Sequence, residues 1–450
     1  MALSGSISVT GLMNQINNKA ALRERFYKAS QQPPLMMLYP PVSTGEPYDR
    51  GPDAFALWNG VTGKGTLYIH IPFCPSRCAF CPFHAAVGKP GDYDEYLKNL
   101  LTEAAMYSEA VRDLEFNSVY FGGGTPSVLA PARLSDFLGK LAGLFRIADA
   151  DISLEAHPGT LDAGKLDALC AAGISRLSLG IQSFNGQVLR ASGRGATTDK
   201  VRPVLEAALA TPFREVNIDL MYGLPDQDLE SWRTDLKTAT KLEVPGVTLY
   251  STVYLADFTA YCKKHKATIP GTEHRFAMYD LAYDYLNAGG YPQPHFGAGA
   301  FLRGDLNPHR QNVALGLPTL GLGTWSYSST GQFSYHNLFP RAKWALALEQ
   351  GKLPIRQLVR IPGPERARKY VIEAMLLAYL DLDHFQELFG ADLTSTFPDE
   401  LDVLQDLELV DVENGKLRLT RKGGRHLREV RYLFASNAVV TSLESGAAGL

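Results

Sequence analysis

The sequence is short of cysteine, of charge imbalance and of long apolar runs, and each shortage removes a class of protein. Five cysteines stand in 450 residues, three of them, Cys74, Cys78 and Cys81, within eight positions. An odd and clustered count argues against a secreted disulfide framework and for a metal or redox site in a reducing compartment. Lys and Arg total 44 against 47 Asp and Glu, a net charge of -3, so the overall balance draws the chain neither to nucleic acid nor to anionic lipid. No window holds about 18 consecutive apolar residues, which argues against a membrane span. The opening stretch MALSGSISVTGLMNQINN lacks the basic and apolar regions of a secretory signal. The expected location is therefore cytoplasmic. With 45% hydrophobic and 20% charged residues, what is present is a soluble globular chain long enough for two or three domains.

From residue 66 to about 260, short apolar runs alternate with helical patterns. Strands are expected at 66–71, 118–121, 151–156, 175–181, 215–221 and 246–254, which reads as a parallel α/β array. Asp92 and Glu95 have capping-box spacing at the start of the first intervening helix. In Ile152-Ser153-Leu154-Glu155, in Leu177 to Gln182 and in Val216 to Leu220, aliphatic residues hold one parity and polar residues the other. Alternate residues point to opposite faces. A sheet covered by helices on both sides shows nearly continuous apolar strands instead, so the pattern predicts a parallel partial (β/α)6 barrel with a polar interior. Ligand chemistry in such folds lies at the C-terminal strand ends, where Glu155, Gln182 and Asp219 fall.

The remaining organisation is coarser. Residues 1–65 read as a wrapping extension with one helix near 20–28, residues 66–260 as the barrel, and 261–362 as a substrate-binding region and connector holding one helix (273–287) among Gly-rich and aromatic loops. Residues 363–435 read as helices and a hairpin around Asn414-Gly415, the pattern of a small winged-helix domain, and 436–450 as a tail. The basic run Lys416, Arg418, Arg421, Lys422, Arg425, Arg428 and Arg431 is expected to be a solvated face rather than a nucleic-acid surface. Cys170 is expected to be buried packing and Cys262 a surface thiol. His157, His295 and His309 are candidate proton carriers, though histidines are more often structural.

The spacing Cys74-x3-Cys78-x2-Cys81 directly follows the first strand. Three thiolates on one loop can ligate three irons of a 4Fe-4S cluster and leave the fourth open; a structural zinc site wants a fourth ligand, which His84 is near enough to supply. The stretch Tyr68-x-His70-Ile71-Pro72-Phe73-Cys74-x3-Cys78-x-Phe80-Cys81 resembles the signature of the radical S-adenosylmethionine (SAM) superfamily as written in the oxygen-independent coproporphyrinogen III oxidase (HemN-like) family. The resemblance continues in order through Gly122 to Ser127, Glu155, Arg176 to Phe184, Arg194, Asp219 to Pro225, and Gly321-Leu322-Gly323. It implies that Cys74, Cys78 and Cys81 hold the cluster, and that SAM bound to the open iron is cleaved to a 5'-deoxyadenosyl radical that abstracts hydrogen. It further implies that Tyr68, Phe80, Gly123, Gly124, Thr125, Glu155, Gln182, Arg194, Asp219 and Met221 form the SAM site, and that an external one-electron reductant of flavodoxin or ferredoxin type is needed.

Two departures select the expected branch. Porphyrinogen-decarboxylating members of the family carry another cysteine two residues after the third, where this chain has Phe83. The heme-chaperone (HemW-like) branch has His-Asn-x-x-Tyr-Trp before its LGxG; here His309 to Ala314 keeps the histidine and the spacing without the Tyr-Trp pair. The expectation is thus a monomeric class C methyltransferase or cyclopropanase, using a second SAM to pass a methyl or methylene group to an sp2 carbon of a small-molecule, peptide or tetrapyrrole substrate. Thr324, Trp325 and Tyr327 are the expected catalytic residues, with Thr125 beside the second SAM. The alternatives are a heme chaperone and an oxygen-independent coproporphyrinogen III oxidase.

Overall fold

The computed structural model describes residues 9–31, 38–48, 51, 53–83, 85–195, 198–297 and 299–445. It divides into two units, one of Glu46–Val313 with Leu317–Arg360, the other of Met1–Gly45, Ala314–Gly316 and Ile361–Leu450.

The larger unit is built on a twelve-stranded sheet. Its centre is the expected parallel array, with strands at Gly63–Ile71, Leu114–Gly123, Asp151–Ala156, Arg176–Gln182, Glu215–Tyr222 and Gly246–Ser251. These pair in sequence order, all parallel, with helices between them, and the fold is α/β. Leu154, Leu177, Leu179, Ile181, Ile218 and Leu220 are buried on one face against these helices. The other parity carries Ser178, Asn217 and Thr248, also buried but hydrogen-bonded to one another: Asn217 Nδ2 donates to Ser178 Oγ at 2.9 Å and Thr248 Oγ1 to Asn217 Oδ1 at 2.9 Å. Buried polar groups persist where they satisfy each other, and this satisfied row is the polar interior that the alternation announced.

Residues 261–362 depart from the expected loops. Besides the helix Thr272–Ala288, they supply strands at Ala300–Leu302, Thr319–Leu322, Tyr327–Ser329, Phe333–Asn337 and Ile355–Arg360. Thr319–Leu322 adds a seventh parallel strand beside Gly63–Ile71, Gly321 facing Tyr68 and Leu322 facing Ile69. The next three continue the sheet antiparallel. Their glycines and serines hide a period-2 signal, because short strands carry few side chains from which to read it. The helix Pro90–Tyr107 starts earlier than the Asp92/Glu95 spacing suggests: Asp92 accepts from the Lys89 backbone N–H at 2.9 Å, with Pro at the first helical position.

The smaller unit contains the helix Val9–Gln31, longer than the expected 20–28, and helices from Gly363–Ala374 onward. The hairpin Val410–Glu413 and Lys416–Leu419 turns through Asn414 and Gly415, both at positive φ, as that dipeptide favours; Tyr379–Asp381 adds a third strand. Arg431, expected on a solvated face, is buried and donates from Nε to Ile372 O at 2.8 Å. Residues 437–444, expected as tail, form a helix with Val439 and Val440 buried. Cys170, expected in buried packing, is half-buried, and Cys262, expected at the surface, is buried; Cys262 shares an inward helix face with Phe258, which outweighs the following lysines. No helix of the described residues is long and apolar enough to cross a membrane.

Candidate active site

The cysteine loop leaves the first parallel strand and is stitched to the second. Gly124 N–H donates to Ile71 O at 2.8 Å and Thr125 N–H to Phe73 O at 2.7 Å, while Thr125 Oγ1 reaches Cys74 Sγ at 3.4 Å. This approach leaves no room for side chains. A Cβ on Gly124 would lie 2.6 Å from Phe73 O, and one on Gly123, at φ +108°, would lie 2.6 Å from the His70 ring; only glycine adopts such a backbone without strain. Cys74, Cys78 and Cys81 are half-buried. Burial pushes each thiol up, opposed at Cys74 by the Thr125 hydroxyl and at Cys78 by the Arg194 guanidinium. Among the described residues no three His, Cys, Asp or Glu converge on one ion-sized point; in an iron–sulfur cluster each thiolate takes a different iron and need not converge. His84, the fourth ligand of the zinc alternative, lies outside the described residues.

Arg194 is 5% exposed, and one Nη donates to Gly180 O. Its Nε is buried without a partner. Gln182 closes the fourth parallel strand at φ +71° after a bulge. The next two residues are held by the buried Asp235, which accepts from Ser183 Oγ at 2.8 Å and Phe184 N–H at 2.7 Å and is pushed up to about 7 by burial.

Inside the barrel, Glu155 accepts from Tyr120 OH at 2.9 Å and from Gly123 N–H at 3.2 Å. Burial, then the negative charge of Asp219, raise its carboxyl to about 7. Asp219 accepts from Ser178 Oγ at 3.3 Å and Asn217 Nδ2 at 3.0 Å, and burial raises it as well. Tyr68 OH lies 3.2 Å from His70 Nδ1 and its ring stacks on Tyr120 at 6.2 Å. Phe80 meets Phe258 edge-on at 6.3 Å, and Met221 is half-buried with its carbonyl accepting from Gln227 Nε2. Thr324, Trp325 and Tyr327 stand apart from this set, beyond the seventh parallel strand. Thr324 is occupied by the fold, its N–H on Tyr96 OH at 3.0 Å and its hydroxyl on Leu338 O at 2.8 Å. Trp325, at φ +59°, packs on Phe339, and Tyr327 meets Ser334 Oγ at 2.9 Å and the His336 ring.

Residues 68–239 match the Radical SAM superfamily model, and residues 361–426 match the HemN C-terminal domain model. The chain carries a radical SAM domain followed by a HemN C-terminal domain. The oxygen-independent coproporphyrinogen III oxidase of Pseudomonas aeruginosa is 27% identical over 376 residues, 80% of this chain and 81% of that protein. The heme chaperone HemW of Escherichia coli is 33% identical over 231 residues, 51% of this chain and 60% of its own length. Among solved structures, coproporphyrinogen III oxidase (HemN) from Escherichia coli, described as a radical SAM enzyme, matches with a TM-score of 0.74 and 25% identity, covering 85% of this chain and 92% of that one.

These relatives correct the expected chemistry. They are named as oxidases and a heme chaperone, so the methyltransferase or cyclopropanase assignment is withdrawn. It rested only on eliminating both other branches from two local departures, and each of these relatives belongs to one of those two branches. The radical SAM domain uses a 4Fe-4S cluster and SAM. The three-thiol loop, the glycine cradle and the orphaned Arg194 Nε fit that pair: thiolate donors for iron, backbone clearance for a ligand, and a buried cation for a carboxylate.

Tyr120 and Arg310 went unread in the sequence, whereas His309 and His157 were candidate proton carriers there. Tyr120 shares its strand parity with Ser118 and Gly122, a signal overlooked because Val119 and Phe121 dominate. His309 stacks on Tyr120 at 4.2 Å, has an unpartnered buried Nδ1, and is pushed down to about 3 by burial and then Arg310. Arg310 donates to Thr248 Oγ1 at 3.1 Å while its other Nη is buried without a partner. His157 is held near 4 by burial and accepts from Gly159 N–H, so it stays neutral at pH 7.

Proposed function

We propose that the chain is a radical SAM oxidoreductase acting on a tetrapyrrole, of the oxygen-independent coproporphyrinogen III oxidase type. The supporting observation is the breadth of the likeness: the solved coproporphyrinogen III oxidase corresponds to 85% of this chain, which takes in much more than a SAM-cleaving core. In this reading Cys74, Cys78 and Cys81 hold the cluster, and Arg194 offers its planar fork to the SAM carboxylate. Gly123, Gly124 and Thr125 give the ligand its close approach. Glu155, Gln182 and Asp219 accept from its amino group and hydroxyls, flanked by Tyr68, Phe80 and Met221; Trp325 and Tyr327 lie toward the substrate.

When bound and reduced, the cluster and SAM supply a carbon radical able to take a hydrogen atom from the substrate. Turning a propionate into a vinyl group releases carbon dioxide, one hydrogen atom and one electron, so an external carrier must take the electron as another supplies the reductant. The chain's part is to hold the propionate carbon near the cofactor and keep out competing hydrogen donors. Phe83, 43% exposed at the position of the decarboxylating members' extra cysteine, favours a second reading in which the chain binds heme, with the neutral His309 as its candidate contact. Anaerobic incubation with SAM, a reductant and coproporphyrinogen III separates the two. The first reading predicts a tetrapyrrole lighter by carbon dioxide and two hydrogens for each vinyl group; heme binding with unchanged coproporphyrinogen would establish the second.

A further inference from the structure

The buried carboxylate of Glu103 is the fixed point of the turn that presents Trp325. Glu103 lies on the Pro90–Tyr107 helix and is fully buried. Its Oε2 accepts from Gly323 N–H at 2.7 Å and from the Trp344 indole N–H at 3.0 Å, and its Oε1 accepts from Asn337 Nδ2. Asn337 Nδ2 also donates to Gly323 O at 2.9 Å and contacts Ser326 Oγ at 3.0 Å, so it spans both ends of the turn. From the same helix, Tyr96 OH bridges His70 O at 2.9 Å and Thr324 N–H at 3.0 Å. Gly323 packs so closely that a Cβ would lie 2.8 Å from His70 O. The turn is thus tied to the strand that runs directly into Cys74.

Between these anchors stands Trp325 at φ +59°, a conformation that costs a bulky residue free energy and persists only when its surroundings over-determine it. Three N–H donors converging on one side chain call for a carboxylate. A glutamine offers one accepting oxygen and turns an NH2 toward a donor. Simple core cohesion would not require the strained residue to be a half-buried indole just past the C-terminal end of the seventh parallel strand, Thr319–Leu322. We infer that Glu103 is a positioning residue for Trp325, fixing the Gly323–Ser326 turn so that the indole forms a contact surface for the tetrapyrrole. The ligand's identity rests on the function proposed above; the coupling of Glu103 to Trp325 does not.

The test uses the reconstituted full chain with Glu103→Gln, Trp325→Phe and the double variant, and Asn337→Ser as an independent way to release the turn should Glu103→Gln fold poorly. Melting and iron content establish that each is folded and loaded. Acrylamide quenching of Trp325, read as the difference between each protein and its Trp325→Phe counterpart, is expected to rise in Glu103→Gln and in Asn337→Ser. Affinity for coproporphyrin III is expected to fall about tenfold in Glu103→Gln and in Trp325→Phe, and no further in the double variant, since residues acting through one another are non-additive. Unchanged quenching in both turn variants, or additive losses in the double variant, would overturn the inference. If the unaltered protein binds no coproporphyrin III, the tetrapyrrole reading fails while quenching still decides the role of Glu103.

Discussion

Replacing Gly124 with alanine probes the junction of the cysteine loop and the SAM cradle at one atom. The new Cβ would stand 2.6 Å from Phe73 O, 2.9 Å from Ile71 O and 2.9 Å from Phe73 N. All three are backbone atoms, and two belong to the hydrogen bonds that Gly124 and Thr125 make to this loop, so no side chain can swing away. The closest contact falls about 0.8 Å short of ordinary van der Waals separation, and the loop carrying Cys74 must move by a similar distance. Overpacking of this kind costs about 1–3 kcal/mol of stability, and a misplacement of about 1 Å at a reacting centre lowers rate by about 100-fold. The expected result is a folded protein with a reduced melting temperature whose 5'-deoxyadenosine formation, followed by chromatography after dithionite reduction, drops about 100-fold. Gly139→Ala is the control: it sits in the Pro131–Ala142 helix with nothing within 4 Å of the new Cβ, and should stabilise by about 0.5–1 kcal/mol. Unaltered 5'-deoxyadenosine formation by Gly124→Ala would refute the placement of the cradle against the cysteine loop.

Arg194→Lys keeps the charge but loses the fork that leaves Nε free; the Michaelis constant for SAM should rise about tenfold or more, and an unchanged value would remove Arg194 from the SAM site. Tyr120→Phe removes a donor to the ionised form of Glu155, raising that carboxyl above about 7; the acidic limb of the pH profile for SAM cleavage should move up by about one unit. Asp235 titrates near 7 in the fold against an ordinary value of 3.8, so the folded state retains a proton that the unfolded state releases between these values. Its contribution is complete below pH 3.8 and lost as pH rises through 7. The melting temperature of Asp235→Asn relative to the unaltered protein should therefore climb between pH 4.5 and 7.5, and a flat difference would contradict the burial assigned to this carboxylate.

The barrel was legible because its strands alternate. The parity of Leu177, Leu179 and Ile181 against Ser178, Gly180 and Gln182 shows a sheet with two different faces, and the structure puts one against helices and the other into a hydrogen-bonded interior. The spacing of the cysteines marked a metal-binding loop, and the resemblance around it is what singled out a cluster. What escaped depends on contacts between distant segments. Glu103 falls among Leu100, Ala104 and Tyr107 on a helix face that reads as ordinary core, and nothing local announces that Gly323, Asn337 and Trp344 will meet it. The short strands between 300 and 360 have too few residues each for a period to emerge. The reaction type was misread for a related reason: Phe83 and the missing Tyr-Trp pair are single-site facts, whereas the likeness to the oxidases and heme chaperones is distributed along 80% of the chain.

The most direct test of the whole account counts products in one anaerobic reaction of the reconstituted, reduced protein with SAM and coproporphyrinogen III, with 5'-deoxyadenosine and carbon dioxide measured together. The account predicts that both accumulate in proportion and depend on Cys74, Cys78 and Cys81. Tight heme binding with neither product formed would contradict it.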